Sequence, residues 1–225
     1  MKVRLLAYTP EPEKVVAYSA NLCYSKSDIE STVTKFYDSN EIVRLIALLK
    51  DKGHFSPFEH ISFTFGIENI SRVTSHQLVR HRIASYSQQS QRYVKYSEKN
   101  FDYITPPSIK KSEFLDEYTA YIEQGKKLYR DMTGKGIPKE DARYIFSNAT
   151  STNIIVTMNA RSLFNFFKMR CCYHAQWEIR SMAFRMLSLV KDIAPHVFEK
   201  SGPSCFSGFC SENDPHCPLY KKNIK

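Results

Sequence analysis

The sequence predicts an α+β domain in which long helices surround a small mixed or antiparallel sheet. Two kinds of pattern carry this. Ile61, Phe63, Phe65 and Ile67 alternate with Ser62, Thr64 and Gly66, and a period of two marks a half-buried strand. Ile42, Val43, Leu45, Ile46, Leu48 and Leu49 fall on one helical face, and Phe114, Leu115, Tyr118, Tyr121, Ile122 and Leu128 repeat that pattern over a longer stretch.

Taken in order, Lys2 to Tyr8 reads as a short strand. Glu11 to Cys23 has a helical pattern, with Val15, Val16, Tyr18 and Ala20 available for a core. Asn40 is placed to cap the next helix and Gly53 to stop it, since glycine accepts the left-handed backbone that ends helices. After the alternating strand, Ser71 can cap a helix running to about Arg82. Its apolar residues are only Val73, Leu78 and Val79, so it has a largely polar surface to explain. Thr105-Pro106-Pro107 is a break, and the long helix runs from Ser112 to Met132. Thr133 to Pro138 is a loop whose proline suits the first turn of a short helix carrying Arg143. Asn153 to Met158 reads as a strand, Asn159 caps the helix after it, and a last helix runs from Gln176 to Ile193.

The 225 residues suffice for one sizeable domain, or at most two small ones, with a real core. We read residues 1–200 as one domain and 201–225 as a cysteine-rich, basic tail. No apolar run reaches the roughly 18 residues of a membrane helix. Met1 to Tyr8 carries two basic residues but no apolar stretch follows before Pro10, so no secretory signal is expected. The six cysteines lack the spacing of a disulfide framework, and a cytosolic protein would keep them reduced. The net charge of +9 asks for acidic partners. Nucleic acid satisfies that demand, and nucleotides, flavin phosphates and folate carboxylates satisfy it equally.

The densest chemistry lies in Arg80-His81-Arg82-Ile83-Ala84-Ser85-Tyr86-Ser87-Gln88-Gln89-Ser90-Gln91-Arg92. Guanidinium forks grip phosphate oxygens bidentately, and Ser and Gln add neutral hydrogen bonds. A solvated basic face is the plain alternative. Ser90 could be a nucleophile, but that needs a base, and the only close candidate, His81, lies among arginines that oppose its protonation. There is no GxSxG elbow. On the Asn159 helix, Leu163, Phe164, Phe166 and Phe167 are core residues. Arg161, Asn165 and Met169 share one stripe, and Arg170 lies about 180° from Arg161 at about 100° per residue. Polar groups beside large aromatics need partners, either an internal salt bridge or a ligand. His54 and His60 fit no common zinc spacing. Cys205, Cys210, His216 and Cys217 match no trusted zinc pattern either, so a reduced tail packed by Phe206, Phe209 and Tyr220 competes with a metal site; Lys221, Lys222 and Lys225 make its end basic. We therefore expect no metal.

Four segments, in this order, resemble the flavin-dependent thymidylate synthases, the thymidylate synthase-complementing family. Gly53-His54-Phe55-Ser56-Pro57-Phe58-Glu59-His60 resembles the family's GHxSxxEH segment. Arg80-His81-Arg82 followed, after seven residues, by Ser90 resembles its RHR signature. Asn159 to Arg170 resembles its NARSLxNFxxxR helix, and His174-Ala175-Gln176-Trp177-Glu178-Ile179-Arg180 follows as it does there. The resemblance covers roughly residues 50 to 185. At Gln88-Gln89 some family members have an acidic and an apolar residue, and Phe146 stands where a Leu-Pro pair is common.

The resemblance implies the thymidylate synthase-complementing protein fold and synthesis of dTMP from dUMP. It implies 5,10-methylenetetrahydrofolate as carbon donor, NADPH as reductant and non-covalent FAD as hydride carrier. It implies dUMP contacts from Gln77, Leu78, Val79, Arg80, Gln88, Gln89, Ser90, Gln91, Arg92, Arg143 and Arg170. Arg170 is the implied catalytic residue, contacting the uracil ring, where a guanidinium stabilises negative charge and makes C5 more nucleophilic. FAD would be held by His54, Ser56, Glu59, Arg80, His81, Arg82, Ile83, Gln88, Asn159, Ala160, Arg161, Asn165 and Met169. Ser90 is then a substrate ligand. The implied assembly is a cytoplasmic homotetramer with active sites at subunit interfaces, binding neither membrane nor nucleic acid. The competing reading is a non-enzymatic single-stranded nucleic-acid-binding module, with Tyr86, Tyr93 and Tyr96 interleaved among basic residues at a pI near 9.2. It leaves the Asn159 helix and the Gly53–His60 turn unexplained.

Overall fold

The computed structural model describes residues 1–26, 28–34, 38–96, 101–208, 210 and 212–219. In chain order the elements are β1 (Lys2–Tyr8), α1 (Pro12–Tyr24), α2 (Ile29–Thr34), α3 (Ser39–Asp51), β2 (Ser62–Ser71), α4 (Arg72–Leu78) and β3 (Ser85–Gln88). They continue with α5 (Pro107–Lys110), α6 (Leu115–Gly134), α7 (Lys139–Ala142), β4 (Ser151–Asn159), α8 (Ala160–Arg170), α9 (Trp177–Ile193) and α10 (Pro195–Phe198). Short 3-10 turns occupy Ser56–His60, Arg143–Ile145 and Ser204–Ser207. The four strands form one antiparallel sheet in the order β1-β2-β4-β3. This is the expected α+β class.

The chain divides into two compact units. The smaller comprises Met1–Lys2, Ile67–Arg80 and Ser87–Ile155; the larger comprises Val3–Gly66, His81–Tyr86 and Val156–Lys225.

In the larger unit the alternation read from residues 61–67 takes the expected form: Phe63 and Phe65 are fully buried, and the intervening Ser62 and Thr64 are half-buried. The Phe198 ring meets Phe63 edge-on at 5.4 Å, and Phe164 meets Phe58 and Phe198 at 5.4 Å each. Such edge-to-face pairs add to plain burial. One face of α9, with Ile179, Met182, Met186 and Val190, is buried in the same unit.

The start of α3 differs from expectation. Asp38, not Asn40, is the capping residue; the Glu41 and Ile42 N–H groups donate to the Asp38 carbonyl. Asn40 lies inside the first turn, where its amide donates to the Asp38 carboxylate at 3.3 Å. An acidic group suits that end of a helix because free N–H dipoles point at it. The other end is as expected. Gly53 takes φ 72°, and the His54 N–H reaches back to the Leu49 carbonyl at 2.8 Å, closing the helix.

In the smaller unit, Tyr96, Phe101 and Tyr129 are buried around Phe146, whose ring lies 5.2, 4.7 and 4.6 Å from theirs. The departure from the family pattern at Phe146 is therefore the hub of an aromatic cluster. It anchors the end of the turn that carries Arg143.

The helix expected to reach Arg82 stops at Leu78. Leu78 is fully buried, but no apolar residue follows at helical spacing to extend a buried face. β3 was not expected from the sequence, because Ser85-Tyr86-Ser87-Gln88 lacks apolar alternation. Its half-buried positions are Tyr86 and Gln88. The start of α4 was legible: the Ser71 hydroxyl accepts the Thr74 N–H at 3.1 Å. Ser71 is buried, so Ser71→Ala should lower the unfolding free energy by about 1 kcal/mol. Urea denaturation followed by circular dichroism measures this, and a change below about 0.3 kcal/mol would remove the cap's role.

Candidate functional site

Arg170 ends α8 in the larger unit, and its environment is the most specific in the chain. Its Nε–H donates to His81 Nε2 at 2.8 Å. An arginine nitrogen only donates, so Nε2 must accept, and we assign the imidazole proton to Nδ1. His81 is only 7 % exposed. The Phe166 ring holds it edge-on at 4.9 Å, and the Tyr86 hydroxyl donates to its carbonyl at 2.8 Å. Burial first, then the positive charge of Arg170, lower its pKa to about 4. The imidazole is therefore neutral at physiological pH. Desolvation also lowers the Arg170 pKa, without threatening its charge. Among the described residues no carboxylate pairs with Arg170, so its Nη groups keep their donors and it keeps an undischarged cation.

Of the remaining flavin-side residues of the larger unit, His54, Ser56, Glu59, Arg82, Ile83, Arg161, Asn165 and Met169 are exposed, Asn159 is half-buried and Ala160 is buried. Asn159 caps α8, its Oδ1 accepting the Ser162 N–H at 2.9 Å. The cap leaves its amide nitrogen available. Arg161, Asn165 and Met169 form the expected stripe and are all exposed, while Ala160, Leu163, Phe166 and Phe167 are buried behind them. The partner of Arg161 is Glu59, at the 3-10 turn after His54 and Ser56. Such an exposed pair contributes about 0–1 kcal/mol, so a ligand phosphate can take over the guanidinium at small cost. His54, Ser56, Arg82 and Ile83 are exposed. The pairings of Arg161 and Arg170 join residues 102 and 89 positions apart.

The smaller unit holds the other set. Leu78 is buried, Gln77 and Val79 are half-buried, and Arg80 is exposed. Gln88 donates from Nε2 to Ser75 Oγ at 2.9 Å and to Thr152 Oγ1 at 3.2 Å, so much of its amide fixes β3. Gln89 is tied by its N–H to the Asn153 carbonyl at 2.9 Å. Ser90 Oγ accepts the Arg92 N–H at 3.2 Å and so organises its own turn. Gln91 is buried. Arg92 Nε donates to Glu140 Oε2 at 2.9 Å, and Arg143 Nε to the Glu140 carbonyl at 3.0 Å. Glu140 thus gathers two arginines far apart in sequence. It was not singled out beforehand; its position three residues before Arg143 was the available signal.

Among the described residues, a cavity of about 430 Å³ lies in each unit. Neither is lined by any residue of the predicted substrate or flavin sets. Among the described residues no three His, Cys, Asp or Glu groups are arranged to hold a metal. Cys205 is buried, and burial with neighbouring Cys210, Cys217 and Cys172 raises its thiol pKa. Phe206 is partly exposed but packs over Gly202. Phe209, Tyr220, Lys221, Lys222 and Lys225 lie outside the described residues. No described helix is long and apolar enough to cross a membrane.

The α+β fold turns Arg80, Arg82, Arg92 and Arg161 outward from several segments, an arrangement suited to anionic ligands. The family model described as thymidylate synthase complementing protein matches residues 4–196. The chain is 50% identical over 235 residues to the flavin-dependent thymidylate synthase of Clostridium tetani, covering 96% of this chain and 93% of that one. The protein of the same name from Geobacter sulfurreducens is 47% identical, with 96% and 94% covered. That from Pyrococcus furiosus is 40% identical, with 95% and 91% covered. The chain belongs to the thymidylate synthase complementing protein family.

Proposed function

We propose that this protein is a cytoplasmic flavin-dependent thymidylate synthase that converts dUMP to dTMP, with 5,10-methylenetetrahydrofolate as carbon donor and NADPH as reductant. Residues 1–200 form its catalytic domain. The observation that carries the reading, beside family membership, is Arg170: a guanidinium held through Nε by a neutral partner and, among the described residues, paired with no carboxylate. Placed against the uracil ring, it stabilises negative charge there and makes C5 more nucleophilic. Gln77, Leu78, Val79, Arg80, Gln88, Gln89, Ser90, Gln91, Arg92 and Arg143 bind and orient dUMP. Arg92 exchanges the Glu140 carboxylate for the substrate phosphate.

The residues present fit FAD. Arg82 and Arg161 are exposed cations, Asn159 and Asn165 offer amide donors, and the chain has no GxGxxG turn to serve a phosphate otherwise. His54, Ser56, Glu59, Arg80, His81, Ile83, Gln88, Ala160 and Met169 complete the set that would hold it non-covalently. When bound, FAD supplies the hydride chemistry. The absorbance spectrum of the purified protein tests this first: flavin bands should appear and persist through gel filtration. A colourless protein that stays colourless after incubation with FAD would refute it.

Exposed site residues such as Arg80, Arg82, Arg161 and Asn165 need a further surface to exclude water. We therefore propose a homotetramer in which each active site is completed across a subunit interface. Sedimentation at micromolar concentration should give a species of four times the 26.2 kDa chain mass. A lone monomer would contradict it.

A further inference from the structure

We infer that His81 is a positioning residue, aiming Arg170 at the substrate through the Arg170 Nε–His81 Nε2 hydrogen bond. The inference rests on the role proposed for Arg170 and gives His81 a task beyond the flavin set in which the resemblance places it.

The geometry has three parts. The bond, 2.8 Å long, fixes the guanidinium by its Nε alone. Among the described residues no partner takes the four Nη hydrogens, which can serve a ligand. The imidazole is itself fixed, since it is 7 % exposed, lies edge-on to Phe166 at 4.9 Å, and has its carbonyl tied to the Tyr86 hydroxyl at 2.8 Å. A side chain buried against an aromatic ring and held through its backbone is an aiming device, because the arginine it holds loses rotamers before the ligand arrives. Finally, the partner is neutral. A carboxylate would fix Arg170 equally well but would offset the charge that the reaction needs. Burial and the Arg170 charge keep the imidazole unprotonated, consistent with this choice.

The test is a double-mutant cycle on the flavin-loaded enzyme, with dUMP affinity by calorimetry beside dTMP formation. His81→Phe keeps an aromatic edge against Phe166 but removes the acceptor. It should lower kcat/KM by about ten- to a hundredfold, the effect of losing a hydrogen bond to a charged group. His81→Gln keeps an acceptor and, at equal flavin occupancy, should recover at least half of the loss, on a logarithmic scale, seen in His81→Phe. In an Arg170→Ala background, His81→Phe should cost less than about twofold further, in turnover and in dUMP affinity, because nothing remains to be aimed. Melting temperature and flavin absorbance verify each variant. If His81→Phe does not fold, His81→Leu takes its place in the cycle.

Losses that multiply in the double variant would overturn the inference while leaving the role of Arg170 intact. So would a His81→Phe enzyme that sheds flavin but binds dUMP normally, which would make His81 a flavin ligand only. An Arg170→Ala enzyme with full activity would refute the proposed role of Arg170, and the inference with it.

Discussion

Replacing Arg170 with alanine is expected to lower dTMP formation by about 10²–10³ under saturating dUMP, folate and NADPH, the usual loss for a preorganised electrostatic donor. The loss belongs in kcat as well as in dUMP affinity, because charge on the uracil ring develops only along the reaction. The paired control is Ser90→Ala. Ser90 Oγ accepts the Arg92 N–H at 3.2 Å, and one neutral hydrogen bond contributes about 0.5–1.5 kcal/mol. Ser90→Ala should therefore lose about tenfold or less. Steady-state kinetics on the two variants decides between charge stabilisation and nucleophilic catalysis. An inactive Ser90→Ala beside a near-normal Arg170→Ala would make Ser90 the nucleophile and leave Arg170 a structural partner of His81.

The second large effect concerns flavin retention. The double variant Arg82→Ala, Arg161→Ala should be folded and colourless. Both side chains are exposed, and among the described residues the ion pair lost is the Arg161–Glu59 surface bridge, so the structural cost is small. The loss for a flavin phosphate is larger, since charge-assisted guanidinium–phosphate bonds are among the strong ones. Absorbance after gel filtration, with circular dichroism as the fold control, measures both. Full flavin occupancy in the double variant would remove these arginines from the flavin site.

Local features of this fold were legible in the sequence. The cap of α8 could be read from Asn159 and the stop of α3 from Gly53, because both are settled by residues within five positions. The alternation from Ile61 to Ile67 showed β2 because a buried face leaves a period in the chain. β3 left no such signal, since Tyr86 and Gln88 are only half-buried and Gln88 is held by amide hydrogen bonds. Asn40 was mistaken for a cap because Asp38 lies just two residues earlier and both can serve. For the candidate site, residue types and order were readable but their partners were not. Arg170 and His81 are 89 positions apart, and Arg161 and Glu59 are 102 apart. Only folding brings them together, and no spacing rule encodes such pairs. The neighbouring arginines already indicated that His81 resists protonation, but the burial that is the first cause of its neutral state is not suggested by the polar Arg80–Arg92 segment.

The central claim is that this chain moves a one-carbon unit from a folate to dUMP and depends on flavin to do so. Supplying 5,10-methylenetetrahydrofolate labelled in its methylene carbon, together with dUMP and NADPH, and following the label tests it most directly. The label should enter dTMP with the flavin-loaded protein, disappear from dTMP when flavin is stripped, and return when FAD is restored. Labelled dTMP formed at the same rate without flavin, or none formed by the flavin-loaded protein, would contradict the claim.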